Sequence, residues 1–205
     1  MARAQPKQSV CVLERGLERW PGEYPKSLWD VLHQVRVTGH ISFGPIKDLY
    51  IGIGRVTSLY QWIIGKGSNA FVANGLGGTS LVNANVFLRP DSRVFESPKF
   101  PSQLRQHAVL DPYFQRATAM LEPTKSTKVF PKDDVIRRQA IHVGLGDRFM
   151  PVDQTVTFED KYNVTGVSMK ASTFSGQDIQ GINDHSKNNV LGTYLADAWS
   201  FGAEL

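Results

Sequence analysis

The chain has 205 residues, 41% of them hydrophobic and 20% charged, and a formal net charge of +4. That length suits one ordinary domain or two small ones, and the balance is that of a globular chain rather than a disordered one. It excludes a membrane-spanning helix, since no run of 18 apolar residues occurs, and it excludes a disulfide framework or cysteine metal cluster, since Cys11 is the only cysteine.

The opening stretch MARAQPKQSV lacks the apolar segment of a secretory signal, and the closing FGAEL is not a peroxisomal address. An intracellular location is therefore the default expectation. Basic residues are scattered, with only short pairs such as Arg137-Arg138, so a solvated surface is expected and no nucleic-acid face.

In chain order, VCVLERG (residues 10–16) reads as a buried strand of a parallel sheet, because its apolar residues run without alternation before Glu14 and Gly16. A Pro21-Gly22 loop follows, and residues 25–32 open a short helix. The stretches TGHISFGPIKDLYIGIG and SLYQWIIGKGSNAFVANG alternate apolar residues between glycines, which predicts two or three short strands. Asp111-Pro112 supplies a helix start, and Leu110, Phe114, Ala117 and Leu121 share one apolar face that should be buried, with Gln115 and Thr118 outside it. PKDDVIRRQAIHVGLG predicts a second helix, with Val135, Ile136, Ala140 and Ile141 apolar. VDQTVTFED alternates like a strand, and NNVLGTYLADAWSFGAEL is a last amphipathic helix that stops at Gly202. The final Ala-Glu-Leu reads as the first residues of another strand. Asn163-Val164-Thr165 is a glycosylation-type triplet of a kind that chance supplies often.

The stretch ANGLGGTSLVNANVFLRP (residues 73–90) carries almost no bulk before Val86. Gly75, Gly77 and Gly78 fall within four residues. Such a cluster serves a bare loop, close packing of backbone, or a ligand with a flat or anionic face held by N–H groups. An acid closing an apolar strand, as Glu14 does, is common in plain strands. It is also the ribose-binding pattern of the second strand in dinucleotide folds. The first strand of such a fold, with its G-x-G-x-x-G turn, has no room among the nine residues before Val10. The glycines at 52 and 54, and at 65 and 67, imitate that turn but lack the helix that should follow.

Taken together, VCVLERG with WPGEYP, GLGGTSLVNANVFLRP, and GINDHSKNNVLGTYLADAWSFGAEL resemble the glucose–methanol–choline family of flavin oxidoreductases, in its cholesterol-oxidase-like branch and fungal form. The resemblance runs from Val10 to Leu205, and Gly-Gly-x-Ser-Leu-x-Asn at residues 77–83 is its most specific part. It implies an α/β fold: an incomplete FAD-binding Rossmann-like domain over residues 10–90, then residues 91–205 leading into a substrate α+β domain and back to the FAD sheet. It implies FAD as cofactor, held by Glu14 at the adenosine ribose, by Gly75, Gly77, Gly78, Thr79 and Ser80 beside the pyrophosphate and ring, and by Asn83 and Asn85 near the ring. It implies an alcohol or sterol substrate, within steroid metabolism, whose CH–OH group passes hydride to the flavin.

Departures from the pattern set further expectations. Family relatives often carry cysteines before the third block, where this chain has STFSGQDIQGIND with none. The N-terminal glycine turn and the C-terminal catalytic residues of the family are absent, so the chain reads as an internal piece of an oxidoreductase, inactive as it stands. None of His33, His40, His107, His142 and His185 matches the family's catalytic histidine, and no spacing among them suggests a metal. No catalytic residue is therefore assigned. The competing reading is a non-catalytic binding or structural domain that retains part of the fold.

Overall fold

A computed structural model describes every residue except Met1 and Pro6, and the His107 side chain lies outside the described residues. Its centre is a four-stranded sheet in the order β2-β1-β3-β4, formed by β1 (Val35–Phe43), β2 (Ile46–Ile53), β3 (Tyr60–Ile64) and β4 (Ala70–Ala73). β1 and β2 are an antiparallel hairpin turned at Gly44, whose φ of 55° suits a residue without Cβ. β3 runs parallel to β1 on its other side, and β4 returns antiparallel to β3. The architecture is thus mixed α/β, with a mixed rather than a purely parallel sheet.

Residues 10–16 were expected as a strand of this sheet, and they are not one. They make a single parallel bridge, Cys11 to Glu204, in which Val12 N donates to the Glu204 carbonyl at 2.9 Å and Glu204 N donates to the Val10 carbonyl at 2.9 Å. The chain's last residues do pair as a strand would, but with this segment alone. Leu13 is 91% exposed, so the apolar run lacks the two covering faces that a buried parallel strand needs.

Helix α1 (Leu28–His33) starts where Ser27 Oγ accepts from Asp30 N and the Asp30 carboxylate accepts from Ser27 N, a reciprocal cap. α2 (Ser92–Glu96) is capped by Asp91. α3 (Asp111–Leu121) begins at the expected Asp-Pro pair. Its face of Leu110, Phe114, Ala117 and Leu121 is half-buried, while Gln115 and Thr118 are exposed. The face points the expected way but is not sealed. Leu121→Ala is accordingly expected to cost about 1–2 kcal/mol, below the 2–5 of a closed core, measured by urea denaturation; a loss above about 3 would mean that the face is closed in solution.

α4 (Pro131–His142) forms as expected, with Asp133 accepting from Phe130 N. Yet Val135, Ile136 and Ile141 are all exposed, so its apolar side is unpartnered among the described residues. The strand expected over residues 152–160 shrinks to β6 (Asp153–Gln154), paired with β5 (Val86–Phe87), plus a bridge from Val156 to Lys187. β7 (Lys161–Tyr162) and β8 (Ser168–Met169) form a small hairpin. The last helix opens as a wide turn over Leu191–Leu195 and continues as α5 (Ala196–Ser200), ending at Gly202 with φ 84°.

The buried core gathers Tyr24, Leu59, Tyr60, Ala73, Leu76, Leu81, Val82 and Leu191 between β3, β4 and the last helix. It is small for the chain. The surface is 13950 Å², against about 9,600 Å² for a compact folded monomer of 22.8 kDa. Trp29, Phe43, Ile53 and Phe71 are among the large apolar side chains left exposed around the sheet. No helix among the described residues is long and apolar enough to cross a membrane.

Candidate functional site

After β4 the backbone enters three left-handed residues, Gly75, Gly77 and Gly78, with φ of 152°, 111° and 58°. Side chains rarely tolerate this region, which is why the sequence is glycine here. The chain then makes one tight turn, Gly78–Leu81. What the glycines lie against differs for each. A Cβ on Gly75 would sit 2.9 Å from Leu81 Cδ1 and 3.0 Å from the Leu17 carbonyl, and one on Gly77 would sit 3.1 Å from Leu191 N. A Cβ on Gly78 would meet nothing within 4 Å. Two of the three glycines therefore admit the chain's own backbone, and only Gly78 opens outward.

Glu14 is brought directly onto this loop. Its Oε1 accepts from Gly16 N at 2.6 Å and from Gly75 N at 3.2 Å. Gly16 permits the contact, since a Cβ there would lie 2.3 Å from Gly75 N. Arg15 completes the clamp by donating to Asn74 Oδ1 at 2.5 Å and to Gln61 Oε1 on β3. Neither Gly16 nor Arg15 stood out as a site residue in the sequence. The only signal was their place beside Glu14.

The third block closes on the second. Ser80 Oγ donates to the Gly77 carbonyl at 2.7 Å and accepts from Val190 N at 3.0 Å. Thr79 is exposed, and its Oγ1 accepts from Ala73 N at 3.3 Å. Asn83 is exposed, but its carbonyl accepts from Lys187 Nζ at 2.7 Å. Asn85 is 1% exposed with φ 63°, a left-handed position that Asn tolerates better than most residues. Its Nδ2 donates to Asp178 Oδ1, while its Oδ1 has no hydrogen-bond partner. Ser186 is fully buried, and its Oγ is equally unpartnered.

Lys187 is the residue that sequence reading passed over. It lies in the quoted Ser-Lys-Asn run, yet a lysine is ordinarily read as solvated. Here it is 8% exposed and donates to two carbonyls, those of Asn83 and Asp178. Burial pushes its amine down to about 7, and the Asp178 charge only partly opposes this. Tyr24 and Tyr60, in the core alongside, are each pushed up to about 12 by burial, with the Arg19 charge opposing.

Of the eight residues expected to bind the cofactor, Glu14 bonds Gly75 and the others follow along residues 75–85, but they do not face solvent alike. Glu14, Thr79 and Asn83 are exposed, Gly77, Gly78 and Ser80 are half-buried, and Gly75 and Asn85 are buried. A group approaching this loop would reach the first set and Gly78, with the others forming its backing. Neither Gly77 nor Gly78 lines either described cavity. One, of about 440 Å³, lies along α3 by Phe87, Arg89 and Phe114; the other, of about 30 Å³, lies between Arg19 and Lys187.

None of the four described histidine side chains hydrogen-bonds to the glycine loop. His33 and His142 are exposed on helices, His40 is exposed on β1 and faces Asp48 at 3.3 Å, and His185 is exposed with φ 64°. No group of three or more potential metal ligands occurs among the described residues. The glycosylation-type triplet is closed: Asn163 is 5% exposed and its Nδ2 donates to Asn188 Oδ1 and to the Gly192 carbonyl.

Two relatives give this geometry a context. The chain is similar to proteins described as cholesterol oxidase in two strains of Mycobacterium tuberculosis, 25% identical over 209 residues, which cover 96% of this chain. No protein-family model matches it. The chain spans about a third of the length of these curated relatives, 34%. Both are bacterial, so what they support is a weak likeness to cholesterol oxidase and to oxidoreductases of that kind, not the fungal form of the branch.

Proposed function

We propose that this chain is part of an FAD-dependent oxidoreductase of the glucose–methanol–choline type, acting on the CH–OH group of an alcohol or sterol. The observation that carries the reading is the convergence of three blocks distant in sequence. Glu14 bonds Gly75, and Ser80 bonds Val190, so the parts of the resemblance meet around one loop. The likeness to cholesterol oxidase over nearly the whole chain agrees with it. On this reading, residues 10–90 are part of a Rossmann-like FAD domain and residues 91–205 lead into a substrate domain.

When bound, the flavin supplies the hydride acceptor for alcohol oxidation. The chain's own residues would hold it. Glu14 would keep its second carboxylate oxygen for ribose hydroxyls, since both of its bonds here fall on Oε1. Gly78 and Thr79 would offer an unobstructed edge, and the Asn83 amide would donate to the ring. Ser80, Gly77 and Asn85 would act as backing that keeps the loop in its left-handed path. A base for the alcohol proton is worth about 10²–10⁴-fold in rate, and none of the described histidine side chains stands at this loop. The 205-residue chain is therefore expected to bind flavin without oxidising sterols or simple alcohols.

The test is a titration with FAD, followed by quenching of flavin fluorescence. Gly78→Asn suits it well: Asn tolerates the φ of 58°, and its Cβ meets no atom of the chain. The variant is expected to fold like the parent and to bind FAD at least about tenfold more weakly, which is 1.4 kcal/mol. If the parent chain binds no FAD, the non-catalytic domain is the better reading. If Gly78→Asn binds as well as the parent, the flavin does not lie along this loop.

A further inference from the structure

The cavity between Arg19 and Lys187 has a composition that the flavin reading does not use. Arg19 is 9% exposed, and its Nε has no hydrogen-bond partner. Its one side-chain bond goes to the neutral Gln34 Oε1, at 2.9 Å. Lys187, which also lines the cavity, is bound only to carbonyls. No carboxylate among the described residues lies within ion-pair distance of either cation. The acids nearby are engaged elsewhere: Glu18 accepts from Trp20 Nε1, Glu23 from Trp20 N, and Asp184 from Thr173 and Ser186. Asp178 Oδ1 is held by Asn85.

A buried guanidinium without a counter-charge is costly, and proteins rarely keep one; the buried Lys187 amine has only the Asp178 charge acting on it. Here that guanidinium and the Lys187 amine line the same small space, together with His185 and the apolar Met169 and Leu191. Apolar walls lower the local dielectric and strengthen attraction to an anion. The space, about 30 Å³, exceeds what one water needs but is far below a drug-sized site. We propose that this cavity binds a small monovalent anion, a carboxylate of the size of formate or acetate, between Arg19 and Lys187. The planar fork of arginine suits a carboxylate, and the walls set the size limit. This inference stands apart from the flavin reading, since it concerns different residues and a different ligand.

The experiment measures urea unfolding of the full chain in sodium formate, acetate, propionate and pivalate at one ionic strength. Formate at a hundred times its dissociation constant should raise the folding equilibrium constant about a hundredfold, in proportion to its concentration once above that constant. Acetate should do so less, and pivalate, of equal charge but too bulky, not at all. Arg19→Gln should abolish the formate effect, whereas Lys26→Gln, at an exposed residue away from the cavity, should keep it. Equal shifts with formate and pivalate in the parent, or a formate shift that survives in Arg19→Gln, would overturn the proposal. Should Arg19→Gln fail to fold, the size series in the parent chain decides alone: a graded loss from formate to pivalate supports the site, and a flat series removes it.

Discussion

Gly16→Ala is expected to destabilise the chain by about 3 kcal/mol, at the upper end of what overpacking usually costs. The reason is geometric. The new Cβ would lie 2.3 Å from Gly75 N and 2.5 Å from Asn74 C, which are backbone atoms and cannot swing aside like a side chain. Relief requires residues 10–16 to part from the glycine loop. That movement would break the Glu14 bond to Gly75 and pull on the Arg15 bonds to Asn74 and Gln61. Gly22→Ala is the natural control, because its Cβ meets nothing within 4 Å although its φ is 103°. It should show only the backbone cost, about 1–2 kcal/mol. Urea unfolding of both variants gives the comparison, and hydrogen exchange at the Gly75 amide reports whether the Glu14 contact has opened. A Gly16→Ala loss no larger than that of Gly22→Ala would mean that the two segments do not touch in solution.

That contact also shows where sequence reading reached and where it stopped. Local signals carried the helices. Asp111-Pro112 fixed the start of α3 and Gly202 ended the last helix, while α1 was expected within residues 25–32 without its Ser27–Asp30 cap being read. Each of these is decided within a few residues. Strands between residues 35 and 73 were legible because apolar residues alternate between glycines, but their order was not. Pairing β3 parallel to β1 depends on contacts that no short window contains. Residues 10–13 misled for the same reason. Their apolar run describes what the segment can bury, and only neighbours on both faces make it a strand.

The site divides likewise. The glycine cluster was visible from composition, and its proximity to Glu14 followed from the resemblance. The geometry, however, assigns Gly75 and Gly77 to packing against Leu17 and Leu191, and leaves Gly78 alone open. Lys187 was invisible because its burial arises from a partner 104 positions away, the Asn83 carbonyl. The exposed apolar residues of α4 and the sheet express the same limit from the other side: the sequence shows where apolar residues fall, and the chain as described leaves many of them without a cover.

The stability of the chain should rise with pH above 7, and Lys187 should be the cause. Its amine is pushed down to about 7 in the folded chain, while an unfolded lysine titrates near its ordinary value of about 10.4. Between those two values the unfolded state binds a proton that the folded state does not. Stability therefore increases as pH climbs through this window, and below about 7 both states are charged and the dependence flattens. The full gain is on the order of 3 kcal/mol, less than the whole shift would imply, since relaxation around the Asn83 and Asp178 carbonyls softens the penalty. The opposite sign follows for Tyr24 and Tyr60, whose hydroxyls are pushed up to about 12. Above about pH 10 the unfolded phenols ionise first, so stability falls again. A maximum near pH 10 is the expected profile, measured by urea midpoints from pH 6 to 11. Lys187→Met should flatten the rising limb and leave the falling one. At pH 9, where the native amine is neutral, the variant should also be about 1–3 kcal/mol less stable, because the Asn83 carbonyl loses its donor. At pH 6 that deficit should shrink or reverse, because methionine carries no buried charge. A rising limb that persists unchanged in Lys187→Met would show that another group titrates there, and that Lys187 reaches water.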